Sequence, residues 1–171
     1  MAVIKIEDDC LSPDLQIVIR FTGPNPFGVL EKIKRLMRAI WEIEAIGFWE
    51  REFRWDATDG SFLMKWYIDR GIDKYTRVLI EVFIQGVQPS DPTQDGKAEI
   101  RIGGYLTSTF GGTSIIDDAR NPIFKFFFII FYRYFYKHQR SFYLKEWCYN
   151  RIQKLKREIQ KNLNILPPET A

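Results

Sequence analysis

Residues 48–57, Phe48-Trp49-Glu50-Arg51-Glu52-Phe53-Arg54-Trp55-Asp56-Ala57, open the part of the chain that decides the fold. Rings and charges alternate there with a period of two, the pattern of a strand with one face buried. The alternation returns three times. Phe62, Met64, Trp66 and Ile68 stand against Leu63, Lys65, Tyr67 and Asp69. Val78, Ile80, Val82 and Ile84 stand against Arg77, Leu79, Glu81, Phe83 and Gln85. Ala98, Ile100 and Ile102 stand against Glu99 and Arg101. Ala57-Thr58-Asp59-Gly60 and Arg70-Gly71-Ile72-Asp73-Lys74 supply turns between them. Short connections favour an antiparallel meander, and residues 88–96, rich in Pro, Asp and Gln, read as an exposed linker. Strict alternation predicts Trp49, Arg51, Phe53 and Trp55 on one face. Glu50, Glu52, Arg54, Lys65, Asp69, Arg77, Glu81, Glu99 and Arg101 then form a solvated face of mixed charge. Gly103-Gly104 marks a bulge or bend in the last strand.

Upstream, residues 3–6 suggest a short strand and residues 8–14 a loop. Residues 15–22 suggest a second strand with Leu15, Ile17, Ile19 and Phe21 inward. Asn25-Pro26 is a helix start, since Asn caps free amides and Pro at the first position loses no hydrogen bond. Leu30, Ile33, Met37 and Ile40 follow at helical spacing, and the helix is expected to end near Gly47.

Downstream, nine of the fourteen residues 123–136 are aromatic, and residues 137–161 hold eight Lys/Arg against two Glu. Neither Gly nor Pro interrupts residues 123–163. Such a helix would reach roughly 60 Å, so a bend is expected in the polar residues 137–141. Leu144, Cys148, Ile152, Leu155 and Ile159 make an apolar stripe beyond it, and Pro167-Pro168 ends the ordered chain. The expectation is a single α+β domain over residues 1–171. A curved antiparallel β-sheet of about five or six strands packs on one N-terminal amphipathic helix and a long C-terminal helix. This is a helix-grip-like layout, and no motif carries a resemblance to a family.

The chain has 171 residues, of which 46% are apolar and 16% aromatic, enough for a real core. Its net charge of +3 hides an acidic body and a basic arm: residues 1–122 sum to −4 and residues 123–161 to +8. Such an asymmetry points to an anionic partner for the arm or to its docking on the body. The N-terminus becomes acidic at once, unlike a signal or transit peptide. Lys125 and Arg133 break the aromatic block, which argues against a membrane span. Two distant cysteines, Cys10 and Cys148, suggest free thiols and a cytoplasmic location.

Catalytic constellations are thin. His138 is the only histidine and lies in a basic segment. Asp8-Asp9 and Asp117-Asp118 are too few ligands for a metal. Gly103-Gly104 and Gly111-Gly112-Thr113 lack the spacing of a phosphate loop. No cofactor or metal is expected, and no residues support a catalytic mechanism.

Arg51 stands out, because a charge among Trp49, Phe53 and Trp55 must find a partner. It pairs with a helix acid, holds an anionic ligand group, or is turned to solvent by a strand irregularity. The leading expectation is a non-enzymatic protein that holds an apolar or amphipathic molecule between sheet and C-terminal helix. Trp49, Arg51, Trp55, Trp66, Phe127 and Phe131 would contact it. The alternative is an interaction module. Arg140, Lys145, Arg151, Lys154, Arg157 and Lys161 would meet nucleic acid, a ribonucleoprotein or an anionic membrane surface. Homodimerisation through the stripe at 144–159 is a third expectation.

Overall fold

A period-two pattern repeated in four consecutive segments leaves little choice but a meander. In the computed structural model, which describes residues 2–91, 93–112 and 118–165 (the Ala45 side chain apart), β3 (Phe48–Trp55), β4 (Ser61–Gly71), β5 (Thr76–Val87) and β6 (Gly96–Phe110) pair antiparallel in sequence order. Thr113, Asp117 and Pro167-Pro168 lie outside the described residues.

The free edge of β6 is covered twice. β1 (Ile4–Asp9) pairs with residues 105–110, and β2 (Ile17–Gly23) with residues 96–102. The two short strands behave as one long edge strand interrupted by the loop between them, giving an open, curled six-stranded sheet. Leu15 falls in that loop and is exposed, outside the strand expected to bury it.

No bulge forms between β5 and β6 at the glycine pair: Gly103 and Gly104 stay in register opposite Glu81 and Ile80. Close approach explains the residue type at Gly104. A Cβ there would lie 2.6 Å from Ile80 Cδ1 and 3.3 Å from Cys10 Sγ. Gly60 is a true turn glycine, with φ +72° and its carbonyl accepting from Gln88 N–H at 2.8 Å.

The core side of the sheet carries Met64, Trp66, Ile68, Val78, Ile80, Val82, Ile84, Ile100, Ile102 and Leu106, all buried. The outer side carries the expected ion pairs. Glu52 binds Lys65 and Arg54 at 2.8 and 2.7 Å, and Glu99 binds Arg101 and Arg20 at 2.6 and 3.0 Å. Hydrogen bonds from Lys65 and from Arg101 are the main reason the Glu52 and Glu99 carboxyls are held below their ordinary pKa.

Against the core side lie two helices. The first begins with a 3₁₀ turn, Pro26–Val29, where Asn25 accepts from Gly28 N–H at 2.9 Å, and continues as α1 (Leu30–Trp41). α1 ends at Trp41, six residues before Gly47, because Glu42 turns into the left-handed region at φ 52°. Trp41 is fully buried and donates from Nε1 to the Trp147 carbonyl at 3.1 Å. Two arginines satisfy the carbonyls at this helix end. Arg151 binds the Ile40 carbonyl and the Glu42 carboxylate, Arg70 binds the Trp41 and Glu42 carbonyls, and both guanidinium groups sit over the Trp147 ring.

The second helix runs without a break from Pro122 to Asn162. Segments α2 (Pro122–Phe131), α3 (Lys137–Tyr143) and α4 (Arg151–Asn162) are joined by wider π turns at Tyr132–Tyr136 and Leu144–Asn150. Residues 137–141, the expected bend, are regular α-helix, and the departures lie on either side. The spacing of buried positions explains them. Tyr136, Arg140, Cys148 and Ile152 are buried, and Phe124, Phe128, Tyr132 and Leu144 partly so, all at multiples of four. Four residues overshoot an α turn by about 40°, so seven such steps would carry the stripe most of the way round the helix. Two stretches of wider turn bring it back to the sheet.

Cys148, Ile152, Leu155 and Ile159 are fully buried in the core shared with α1 and the sheet. The stripe expected to dimerise is therefore occupied within the chain. The expectation of free thiols also fails: Cys10 and Cys148, with Cα atoms 5.3 Å apart, form a disulfide between the β1–β2 loop and the long helix. It closes a loop spanning 138 residues. Replacing both cysteines by serine should cost about 2–5 kcal/mol in denaturant melts, and thiol titration of the unfolded, unreduced protein should find no free thiol.

Candidate functional site

The long helix is covered by the sheet over only part of its length. From Tyr136 onward it lies on the core side, whereas no side chain of α2 is fully buried despite five phenylalanines in ten residues. α2 runs past the end of β5 and β6, where Phe110 meets Phe128 at 5.0 Å, Tyr75 at 5.1 Å and Tyr136 at 5.1 Å between ring centroids. Between this cluster and α2 a groove of about 620 Å³ opens, lined by Tyr75, Phe110, Phe124, Phe127, Phe128 and Phe131, with Lys74 and Arg77 at its rim. Arg77 is engaged by Asp69 through two hydrogen bonds of 3.0 and 2.9 Å. Lys74 is placed over the Tyr75 ring at 5.5 Å.

A buried polar line forms the floor beside this cluster. Asp73 is fixed by accepting from Tyr75 N–H and Thr76 N–H, both at 2.7 Å. The Tyr136 hydroxyl lies 2.8 Å from Asp73 Oδ2 and also meets Thr76 Oγ1. Thr76 Oγ1 lies 2.6 Å from Ser108 Oγ, which accepts from Arg140 Nε at 3.0 Å. The donors can be assigned by elimination. A carboxylate only accepts, so Tyr136 donates to Asp73; Thr76 must then donate to Tyr136, and Ser108 to Thr76. The hydroxyls thus point one way, from the Arg140 guanidinium to the Asp73 carboxylate. Arg140 also binds Asp8 and the Ile6 and Leu106 carbonyls, the latter two at 3.2 and 3.3 Å.

The sequence-predicted contact residues fall in four places. Phe127 and Phe131 line the groove. Trp66 is core, only 2% exposed, with its Nε1 donating to Glu50 at 3.1 Å. Trp55 lies at the opposite end of the sheet, partly exposed, edge-on to Phe27 at 5.1 Å. Trp49 and Arg51 are on the outer face, where Arg51 stacks on Tyr67 at 5.0 Å.

The cause is a β-bulge. Glu50 pairs with Trp66 and Glu52 with Lys65, leaving Arg51 as the extra residue. Before it Phe48 and Glu50 face the core side; after it Phe53 and Trp55 do. Strict alternation across Arg51 was therefore wrong, and the strand irregularity is the reading that holds. It also aims Glu50 at Lys34, 3.1 Å away, instead of at the outer face.

Among the basic residues, Arg140 is only 5% exposed and Arg151 caps α1, so neither is available to an outside anion. Lys145, Lys154, Arg157 and Lys161 are exposed. The adjacent acids have structural partners: Asp8 pairs with Arg140, Asp9 accepts from Leu11 N–H, and Asp118 accepts from Ala2 and Arg120 N–H. No cluster of three metal-ligating side chains occurs among the described residues. The groove residues Tyr75 and Phe110 went unnoticed in the sequence because each reads as an ordinary strand-end ring.

The chain matches no protein-family model and no curated protein. It is similar to the solved structure of an uncharacterized protein from Rhizobium leguminosarum, at 12% identity over 60% of this chain and 82% of that chain. The TM-score of 0.21 is too low to carry an argument.

Burial, reinforced by the neighbouring Asp73 carboxylate, pushes the Tyr136 phenol well above its usual pKa, against the lowering effect of its bond with Thr76. Below about pH 10 both folded and unfolded phenols keep their protons and the stabilisation is complete; above it the unfolded chain releases its proton first and the stabilisation is lost. Tyr136→Phe should lower stability by about 1–3 kcal/mol at neutral pH in urea titrations. Its deficit against wild type should shrink as the pH is raised beyond about 10.

Proposed function

We propose that this is a non-enzymatic binding protein that takes an apolar or amphipathic molecule in the ring-lined groove beneath α2. One observation carries the reading: a helix whose rings point in all directions overhangs the end of the sheet and leaves about 620 Å³ bounded by six aromatic side chains. Ligand sites are concave and mainly apolar, with a few polar groups that orient the guest. Lys74, at the rim, would hold an anionic head group, while Arg77 is already engaged by Asp69. The ligand class favoured is therefore a chain or ring compound ending in a carboxylate or similar anion. The pocket-lining set differs from the sequence expectation by keeping only Phe127 and Phe131.

The test is titration with a medium-chain fatty acid that displaces a fluorescent apolar probe. Phe127→Ala with Phe131→Ala should weaken binding by about tenfold or more, while Trp55→Ala, at the far end of the sheet, should leave it unchanged. Lys74→Ala should weaken the acid but not its methyl ester. Equal affinity in the double variant and wild type would refute the assignment.

A second reading is favoured by the exposure of Lys154, Arg157 and Lys161 along one side of α4. Here the arm would contact nucleic-acid phosphates without reading sequence. Retention of single-stranded RNA should fall steeply with added salt, and Lys154→Glu with Arg157→Glu should abolish it. RNA binding that persists in that variant would remove this reading.

A further inference from the structure

From the outward side of α2 we infer a second, independent surface: an element that docks in the plane of an anionic lipid bilayer. Ile123, Phe126, Ile129 and Tyr134 lie away from the groove-lining side of the helix, and each is more than 60% exposed. Exposed apolar surface this contiguous marks an interaction site rather than ordinary solvent-facing structure.

Charge identifies what covers it. Residues 119–145 contain no Asp or Glu, yet they include Arg120, Lys125, Arg133 and Lys137, all exposed. Long basic side chains on an apolar helix keep their heads at the interface while the stems and rings enter the acyl boundary, and tyrosine suits the same depth. Anionic head groups complement this charge.

A second copy does not. Packing two such faces about a two-fold axis would bring Lys125, Arg133 and Lys137 of each chain together with no acid on the face to neutralise them. Among the described residues no helix is long and apolar enough to cross a membrane. The helix would therefore lie on the bilayer, with the groove on its opposite side facing the sheet.

Vesicle co-sedimentation of the full chain tests this. Wild type should pellet with phosphatidylcholine vesicles containing phosphatidylserine at low ionic strength, and far less with phosphatidylcholine alone. Phe126→Glu with Ile129→Glu should reduce binding by about tenfold or more. Displacement of the apolar probe from the groove should stay unchanged in that variant, which keeps a failure here distinct from a failure of the groove. Lys125→Glu with Arg133→Glu, changing only exposed heads, should erase the preference for phosphatidylserine; it decides the matter if the apolar variant melts early. The proposal is overturned if wild type pellets with neither vesicle, or if both variants bind as wild type does. It is also overturned if light scattering shows a dimer that Phe126→Glu splits, since a second copy would then own the face.

Discussion

A buried guanidinium must find acceptors for its donors, and Arg140 finds them on two neighbouring strands. Asp8 and the Ile6 carbonyl come from β1, and Ser108 and the Leu106 carbonyl from β6. Sliding the helix by one turn would leave a charge buried without partners, among the costliest defects a fold can carry. Position 140 is therefore pinned over β1 and β6, and everything else about the long helix follows from that point. Tyr136, one turn earlier, meets Asp73 and Thr76. Cys148, two turns later, reaches Cys10. Residues before 132 run out past the end of the sheet.

That overrun gives α2 its unusual character. A helix apolar on all sides needs cover on all sides, and a single sheet face offers cover for one stripe. Phe128 and Phe131 meet the sheet-end rings, while Phe126 and Ile129 stay more than 60% exposed. The groove and the outward apolar face are two consequences of one mismatch between ring content and available β surface. The π turns serve the same geometry, since they keep a four-residue repeat over the sheet where an ideal α-helix would rotate it away.

The limits of reading this chain lie in particular residues. Period two placed β4, β5 and β6 correctly because their alternation runs unbroken and their partners lie on both sides. It failed in β3 because Arg51 is an inserted residue, and a single insertion sends every later side chain to the other face. Arg140 and Arg151 looked like two more cations on a basic arm. Nothing local marks which members of such an arm are buried, because their partners, Asp8 and the Ile40 carbonyl, are more than a hundred residues away. Trp41 was hidden in the same way, its acceptor being a carbonyl on the other helix. The disulfide joins residues whose spacing follows no motif.

The amino-acid order by itself determined the α+β class, the antiparallel meander, the helix start at Asn25-Pro26, the long C-terminal helix free of Gly and Pro, and the surplus of rings near residue 130. Each of these depends on neighbours a few positions apart, through side-chain periodicity and the restricted backbone of proline. Only the tertiary structure decided which faces those elements present, which cations are exposed, which sulfurs meet and where the unburied rings gather. Those outcomes depend on pairing register and on how far one helix extends beyond one sheet, quantities set by contacts between distant parts of the chain.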